Sequence, residues 1–279
     1  MSRGARDGPA APPAVDFSAL YDTHPEYVAR RRGGSLEQTQ IDIEVRLFKL
    51  PNLQRLLPDP QGLDSVLEIG CATGELIAAL PVRAGGRKVG IDISAANVAT
   101  ARARFPEVEF RCGDFRAAPS EVFDAVVMSD VLEHVPDDAG FLRDAAALGR
   151  VVLVNLPLED NWLNRRRRYG PDDASGHLRK YSLAAGLALV ERAGLEVVAQ
   201  AQVWVHETPA ETARRALRRA RLGAAYSGAW PARTLRRAVF AAAVALPPLG
   251  RRLFASNLFV AARARPSKPA AAAIARPAP

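Results

Sequence analysis

The sequence predicts a doubly wound α/β domain on a mostly parallel sheet, and three observations carry that reading. From Asp64 to Val205, short β-rich runs alternate with helix-period patterns over short connections. The runs are apolar almost throughout, as strands covered on both faces must be. The first run ends in a turn of small residues, Gly70-Cys71-Ala72-Thr73-Gly74, directly ahead of a helical pattern.

Taken in order, residues 1–14 and 266–279 are Pro/Ala-rich and are expected to be disordered tails. Residues 15–62 are expected to form an N-terminal helical cap. Within it Ser35 opens SLEQTQIDIEVRLFKL, where Leu36, Ile43, Leu47 and Leu50 fall near helical spacing and Pro51 ends or kinks the helix. The core domain is expected over 63–206. Its strands are SVLEIG (65–70), KVGID (88–92), VEFRC (108–112), FDAVVMS (123–129), RVVLVN (150–155) and 195–205. Its helices fall near 74–80, from Ser94 to about Arg104, near 137–148 and over 182–193. A basic helical insertion (207–256) and a last strand at NLFVAAR, within 257–265, complete the chain.

Composition bounds the function. Of 279 residues, 48% are hydrophobic, which is ample for a packed core. Lysine is scarce (Lys49, Lys88, Lys180 and Lys268 among 38 cations), an arginine bias that warns against reading each Arg as functional. Residues 1–206 carry a net charge of −4 and residues 207–279 a net of +12, so an anionic partner would meet the C-terminal quarter. Cys71 and Cys112 make neither a disulfide framework nor a zinc pattern, and no metal is expected. There is no apolar signal region, and the longest apolar run, Ala238–Leu249, is broken by Pro247-Pro248 and too short to span a bilayer. The expected location is cytoplasmic, with peripheral membrane contact as the alternative.

The ligand site is expected at the carboxyl ends of the strands. Gly70 and Gly74 bracket a turn whose missing side chains let a ligand approach backbone at a helix N-terminus. Asp92 ends the second strand, where a carboxylate can accept bonds from ribose hydroxyls. Asp114 follows the third strand, within reach of an adenine amino group. The fourth strand ends in polar residues, SDVLEHV, at the mouth of the crevice. Taken singly, Asp92 and Asp114 could as well cap turns, and the glycines could serve the turn alone.

With these motifs in order, the sequence resembles the class I S-adenosylmethionine (SAM)-dependent methyltransferases, in particular the small-molecule branch of ubiquinone and menaquinone methyltransferases. The resemblance runs from about Asp64 to Val205 and resumes at 257–263. It implies a seven-stranded Rossmann-like sheet whose last strand is antiparallel, with SAM as cofactor. It also implies that Glu68, Gly70, Ala72 and Gly74 form the acidic-glycine turn, with Ala72 where the family carries a glycine. By the same resemblance Asp92, beside Ile93, holds the ribose, Asp114 and the Phe115 backbone hold the adenine, and Met128 and Ser129 close over the methionine portion.

A sulfonium methyl is already a strong electrophile, so positioning and exclusion of water matter most, aided by a base where the acceptor is protonated. The histidines are His24, His134, His177 and His206. His177, in SGHLRKYS, is the first choice for a base, and the resemblance implies that Gly176, His177, Arg179 and Tyr181 shape the acceptor side. His134 is the second candidate, with helix capping as its other reading. Trp162 and Tyr169, on the long loop after the fifth strand, either line the pocket or anchor the loop. Arg165–Arg168 either faces solvent or reads an anion. Tyr21, His24 and Tyr27 either fold over the cofactor or pack a helix.

The expected function is therefore methyl transfer from SAM to an O, N or C nucleophile of a small molecule, such as a lipid, quinone, sugar or secondary metabolite. A non-catalytic SAM-binding scaffold is the rival. An NAD dehydrogenase is disfavoured, since Ala72 and Glu75 stand where its glycines would be. Nucleic acid is disfavoured as a partner because SDVL replaces an Asn-Pro-Pro-Tyr-type motif and no stacking aromatics are appended. The 207–256 segment, with arginines flanking an apolar run after Trp230, suits either contact with an anionic membrane or a lid packed on the core.

Overall fold

The computed structural model describes residues 17–23, 25–32, 35–57, 59, 62–117, 121–162, 164–170, 173, 175–222, 239–254 and 256–265. His24, Trp230, Arg236, Arg237, both expected tails and the side chain of Tyr27 lie outside this description.

Seven strands make one sheet: β1 (Ser65–Ile69), β2 (Arg87–Asp92), β3 (Glu109–Cys112), β4 (Phe123–Ser129), β5 (Gly149–Leu158), β6 (Leu195–Val203) and β7 (Ser256–Ala264). Their order is β3-β2-β1-β4-β5-β7-β6. The first five pair in parallel, and β7 runs antiparallel between β5 and β6. The doubly wound class and the antiparallel last strand are as expected. Strand direction alternates side chains between two apolar layers. Val66, Ala125, Val127 and Leu153 enter one layer, and Leu67, Val126, Met128 and Val152 the other.

The cap comprises α1 (Phe17–Thr23), α2 (Pro25–Arg32), α3 (Ser35–Glu44), a π-helical turn (Val45–Lys49) and α4 (Leu50–Gln54). Of the two outcomes expected at Pro51, an end or a kink, the run does not end there but passes through an irregular, π-helical turn just before it. Pro51 sits in the first turn of α4, where its missing N–H is least costly, and the wider turn before it absorbs the mismatch. The buried face is Ile41, Val45, Phe48 and Leu53, while Leu36 and Leu47 are exposed.

The crossover helices are α5 (Glu75–Ala79), α6 (Ala95–Arg104), α7 (Asp138–Ala146) and α8 (Leu183–Arg192). Three open on side-chain caps: Ser94 accepts from Asn97 N, Asp137 from Gly140 N and Ser182 from Ala185 N. After β6, which stops at Val203 because Val205–Glu207 turns into a 3-10 helix, come α9 (Pro209–Leu222), α10 (239–245) and α11 (Pro247–Leu253). Strand order reverses between β1 and β4, so the crevice opens at their carboxyl ends, beside Gly70 and Ser129.

Candidate active site

The β1–α5 turn is a backbone cradle. Gly70 has φ 76°, and a Cβ there would lie 2.6 Å from Val131 Cγ2. Gly70 N and Cys71 N both donate to Ile91 O, at 2.8 and 3.1 Å. Ala72 adopts φ 47°, the left-handed region that glycine takes more readily, which explains why its side chain is unusual there. Ala72 N donates to Asp92 Oδ2 at 2.8 Å, and Ser94 N to Asp92 Oδ1 at 2.8 Å. Asp92, 7% exposed, thus joins two loops and keeps acceptor capacity on both oxygens. Burial pushes its carboxyl above the usual range, against the two backbone donors.

This cradle forms one end of a cavity of about 670 Å³. Glu68, Gly70, Ala72, Asp92, Ile93, Asp114, Phe115 and Ser129 all line it, so eight of the ten predicted cofactor positions come together. Two do not. Met128 is 1% exposed and points into the apolar layer, because β4 alternation sends only Ser129 to the crevice. Gly74 faces away: a Cβ there would meet Phe110 Cζ at 2.7 Å, so its lack of a side chain serves packing, not ligand approach. Asp114 is held by Arg116 at 2.7 Å, which keeps its carboxyl below the usual range.

Over this end lies α1. Asp22 Oδ1 accepts from Ser94 Oγ at 2.5 Å and Ile93 O from Ser18 Oγ at 3.2 Å, while Tyr21 lines the cavity.

The other end of the cavity is built of charge. His134 donates from Nδ1 to Gly176 O at 3.0 Å, and His177 Nδ1 meets Glu159 Oε2 at 2.6 Å. The two rings stand edge to face, 4.8 Å apart, with Tyr21 edge-on to His134 at 5.9 Å. Both Nδ1 atoms are committed to these partners. Burial, and then His177, push His134 down to about 4. Glu159 is held by Arg167 at 2.7 Å, and Arg167 also grips Asp173 at 2.9 Å, so this member of the Arg165–Arg168 run orders the loop. Arg179 and Tyr181 miss the cavity. They clamp Asp138 at the start of α7, at 3.0 and 2.7 Å. Trp162 is 54% exposed under Arg165, and Tyr169 packs beneath Arg167, so both belong to the loop.

Two features were not anticipated from sequence. Glu133, 1% exposed, has no hydrogen-bond partner for either carboxylate oxygen, and burial followed by Asp130 pushes it well above the carboxylate range. With His134 and His177 it offers ligand atoms all within 4.8 Å of one another, a group that could hold a divalent cation. The sequence signal was the adjacent Glu133-His134, but nothing local announces His177 as the third member. The second is Lys49, at the end of the π-helical turn, bonded to Asp130 at 2.7 Å and Glu44 at 2.8 Å. Burial opposes its charge, yet Asp130 and Glu44 outweigh it and raise its pKa above the ordinary value. Glu44 in turn is held at about 2, with Lys49 and Arg30 overcoming its burial. Asp130 carries φ 57°, a strained backbone at the crevice mouth.

An open α/β sheet with a small-residue cradle and a carboxylate on the next strand defines a protein that binds a nucleoside-bearing ligand at its switch point. The methyltransferase domain family model matches residues 41–200, and the chain belongs to that family. It is 34% identical over 152 residues to the ubiquinone biosynthesis O-methyltransferase of Methylocella silvestris, covering 52% of this chain and 53% of that one. It is 36% identical over 104 residues to that of Rhodopseudomonas palustris, covering 35% and 41%. The chain thus spans about half or less of the length of these curated relatives. The fold is shared with a crystal structure of magnesium protoporphyrin IX methyltransferase from Synechocystis with bound SAM, at TM-score 0.51 and 16% identity, over 91% of this chain and 100% of that one.

Proposed function

We propose that this chain transfers a methyl group from SAM to an O, N or C nucleophile of a small molecule. The observation that carries the reading is one continuous cavity with the Gly70–Asp92 cradle at one end and the His134–His177 pair at the other. The cradle fits SAM: Asp92 keeps acceptor capacity for a ribose hydroxyl beyond its two backbone donors, and Glu68 Oε2, without a hydrogen bond, offers a carboxyl for a cationic group. SAM supplies the electrophilic methyl. His177, oriented by Glu159 as a carboxylate orients a catalytic imidazole, takes the acceptor proton at Nε2. Tyr21, Ser175 and His177, which line the cavity, help to exclude water.

Calorimetry with SAM, with its demethylated product and with NADH tests the first half. Binding of the first two but not the third is expected, and the reverse would sink it. Transfer of labelled methyl to a panel of phenols, amines and acids tests the second half. Tight SAM binding with no transfer to any acceptor would favour the scaffold. The unbonded Glu133 oxygens favour a second reading of the acceptor end, in which Glu133, His134 and His177 hold a divalent cation that lowers the acceptor pKa. Loss of transfer on chelation, restored by metal, selects that reading over the base.

A further inference from the structure

We infer that the hairpin of α10 and α11 is a docking face for an anionic lipid bilayer, a property independent of the methyl-transfer reading. The hairpin has two unlike sides. Its inner side is anchored: Ala243 is fully buried, and Gly250 lies so close to Trp204 that a Cβ would stand 2.4 Å from Cζ3. Phe240 and Phe254 pack on the same indole, with ring centroids 5.9 and 5.3 Å from it. Its outer side is apolar. Val244, Leu246 and Leu249 are 49%, 59% and 38% exposed, and Ala241, Ala242, Ala245 and Pro248 between them are exposed too. Large apolar side chains left together in water on a rigidly anchored hairpin mark a contact surface rather than chance exposure.

Charge selects the occupant. Residues 239–254 contain two arginines and no acidic residue. Arg251 and Arg252 follow Leu249 on α11; Arg252 is exposed, and Arg251 is half-buried against Glu207. On α9 Arg218 is exposed as well, within a segment whose only carboxylates, Glu207 and Glu211, are already paired with Arg251 and Arg215. A second copy docking by the same face would bring these cations together, which disfavours a dimer. An anionic bilayer meets both parts of the pattern, taking the leucines into the interface and the guanidinium groups among its headgroups. Among the described residues no helix is long and apolar enough to cross a membrane, so the contact is at the surface.

Co-sedimentation of the full chain with phosphatidylcholine vesicles, with and without phosphatidylglycerol, at low and high salt, tests this. Binding is expected only to the anionic vesicles and weakens with salt. Leu246→Asp with Leu249→Asp should abolish it while the melting temperature and SAM affinity stay at wild-type values. Arg252→Gln should lower it by about fivefold. Absence from all pellets, or binding unchanged in both variants, overturns the proposal. So does a concentration-dependent dimer that the leucine variant dissolves, which would give the face to a second copy.

Discussion

The β1–β2 end of the cavity is lined mainly from one stretch of chain, between Glu68 and Arg116, and built on the turn after β1. The β4–β5 end is lined from five separate segments: Tyr21, Lys49, Asp130 to His134, His177 and Arg214. The first end is fixed by turn geometry, with Gly70 and Ala72 in left-handed conformations tied to Ile91 and Asp92. The second is fixed by electrostatics, with Lys49 balancing Glu44 and Asp130, and Glu159 steering His177. A backbone cradle suits a ligand that never changes. Charged side chains on separate segments can be exchanged one at a time, which suits the partner that sets specificity.

That contrast breaks most visibly at His177. His177→Ala should lower methyl transfer by roughly 10²–10⁴ while SAM affinity stays nearly unchanged. Glu159→Gln should lower the rate by less, because it removes only the orienting carboxylate. A parallel fall in SAM affinity would show that the two ends are not separable.

Lys49 comes next. Removing one partner of a buried ion network leaves the others uncompensated, so Lys49→Met should cost about 3–5 kcal/mol of stability in denaturant titration. A loss below about 1 kcal/mol would mean that Asp130 and Glu44 find water instead, and that charge does not hold the acceptor end.

At the cofactor end, Asp92→Ala should weaken SAM binding by about 1.5–3 kcal/mol, or about 10–150-fold, read by calorimetry. Asp92→Asn keeps the shape but cannot accept at both positions, so it should recover part of that loss. Equal affinity in both variants and wild type would remove Asp92 from the site.

The same contrast governs what the sequence disclosed. The bounds of β1 to β4 and the starts of α6 and α8 were legible because they are local patterns, whereas β5 runs on to Leu158 and β6 stops at Val203. The cradle was legible because its glycines and Asp92 stand at strand ends in fixed order. Which way Gly74 and Met128 face was not legible, since only packing against Phe110 and the β4 pleat tell it. Pro51 announced an irregularity but not its form, because a π-helical turn has no signature in the periodicity. Lys49 was invisible for a different reason, since an isolated Lys has no spacing signature; Glu133 was visible beside His134, but its burial and its partner His177 are set by the tertiary fold.

The smallest effect on SAM affinity, and the sharpest probe of how the two ends communicate, lies at Glu68. Burial pushes its carboxyl up to about 8, from an ordinary 4.5, although Lys49 pulls the other way. The folded chain therefore keeps a proton that the unfolded chain has lost between those values. The stability this proton contributes is fully present below pH 4.5 and is lost as pH rises through 8, at no more than about 1.4 kcal/mol per pH unit. Glu68→Gln cannot titrate, so the variant should gain stability relative to wild type as pH is raised across that window. A cationic sulfonium nearby favours the ionised carboxylate, so wild-type affinity for SAM should rise a few-fold from pH 6 to pH 8, with proton release seen as buffer-dependent heat. The variant should show neither the rise nor the proton release. If wild type and variant keep parallel pH profiles, Glu68 is ionised throughout and Lys49 reaches across to the cofactor end. The division between a backbone cradle and a charged acceptor end would then be too sharply drawn.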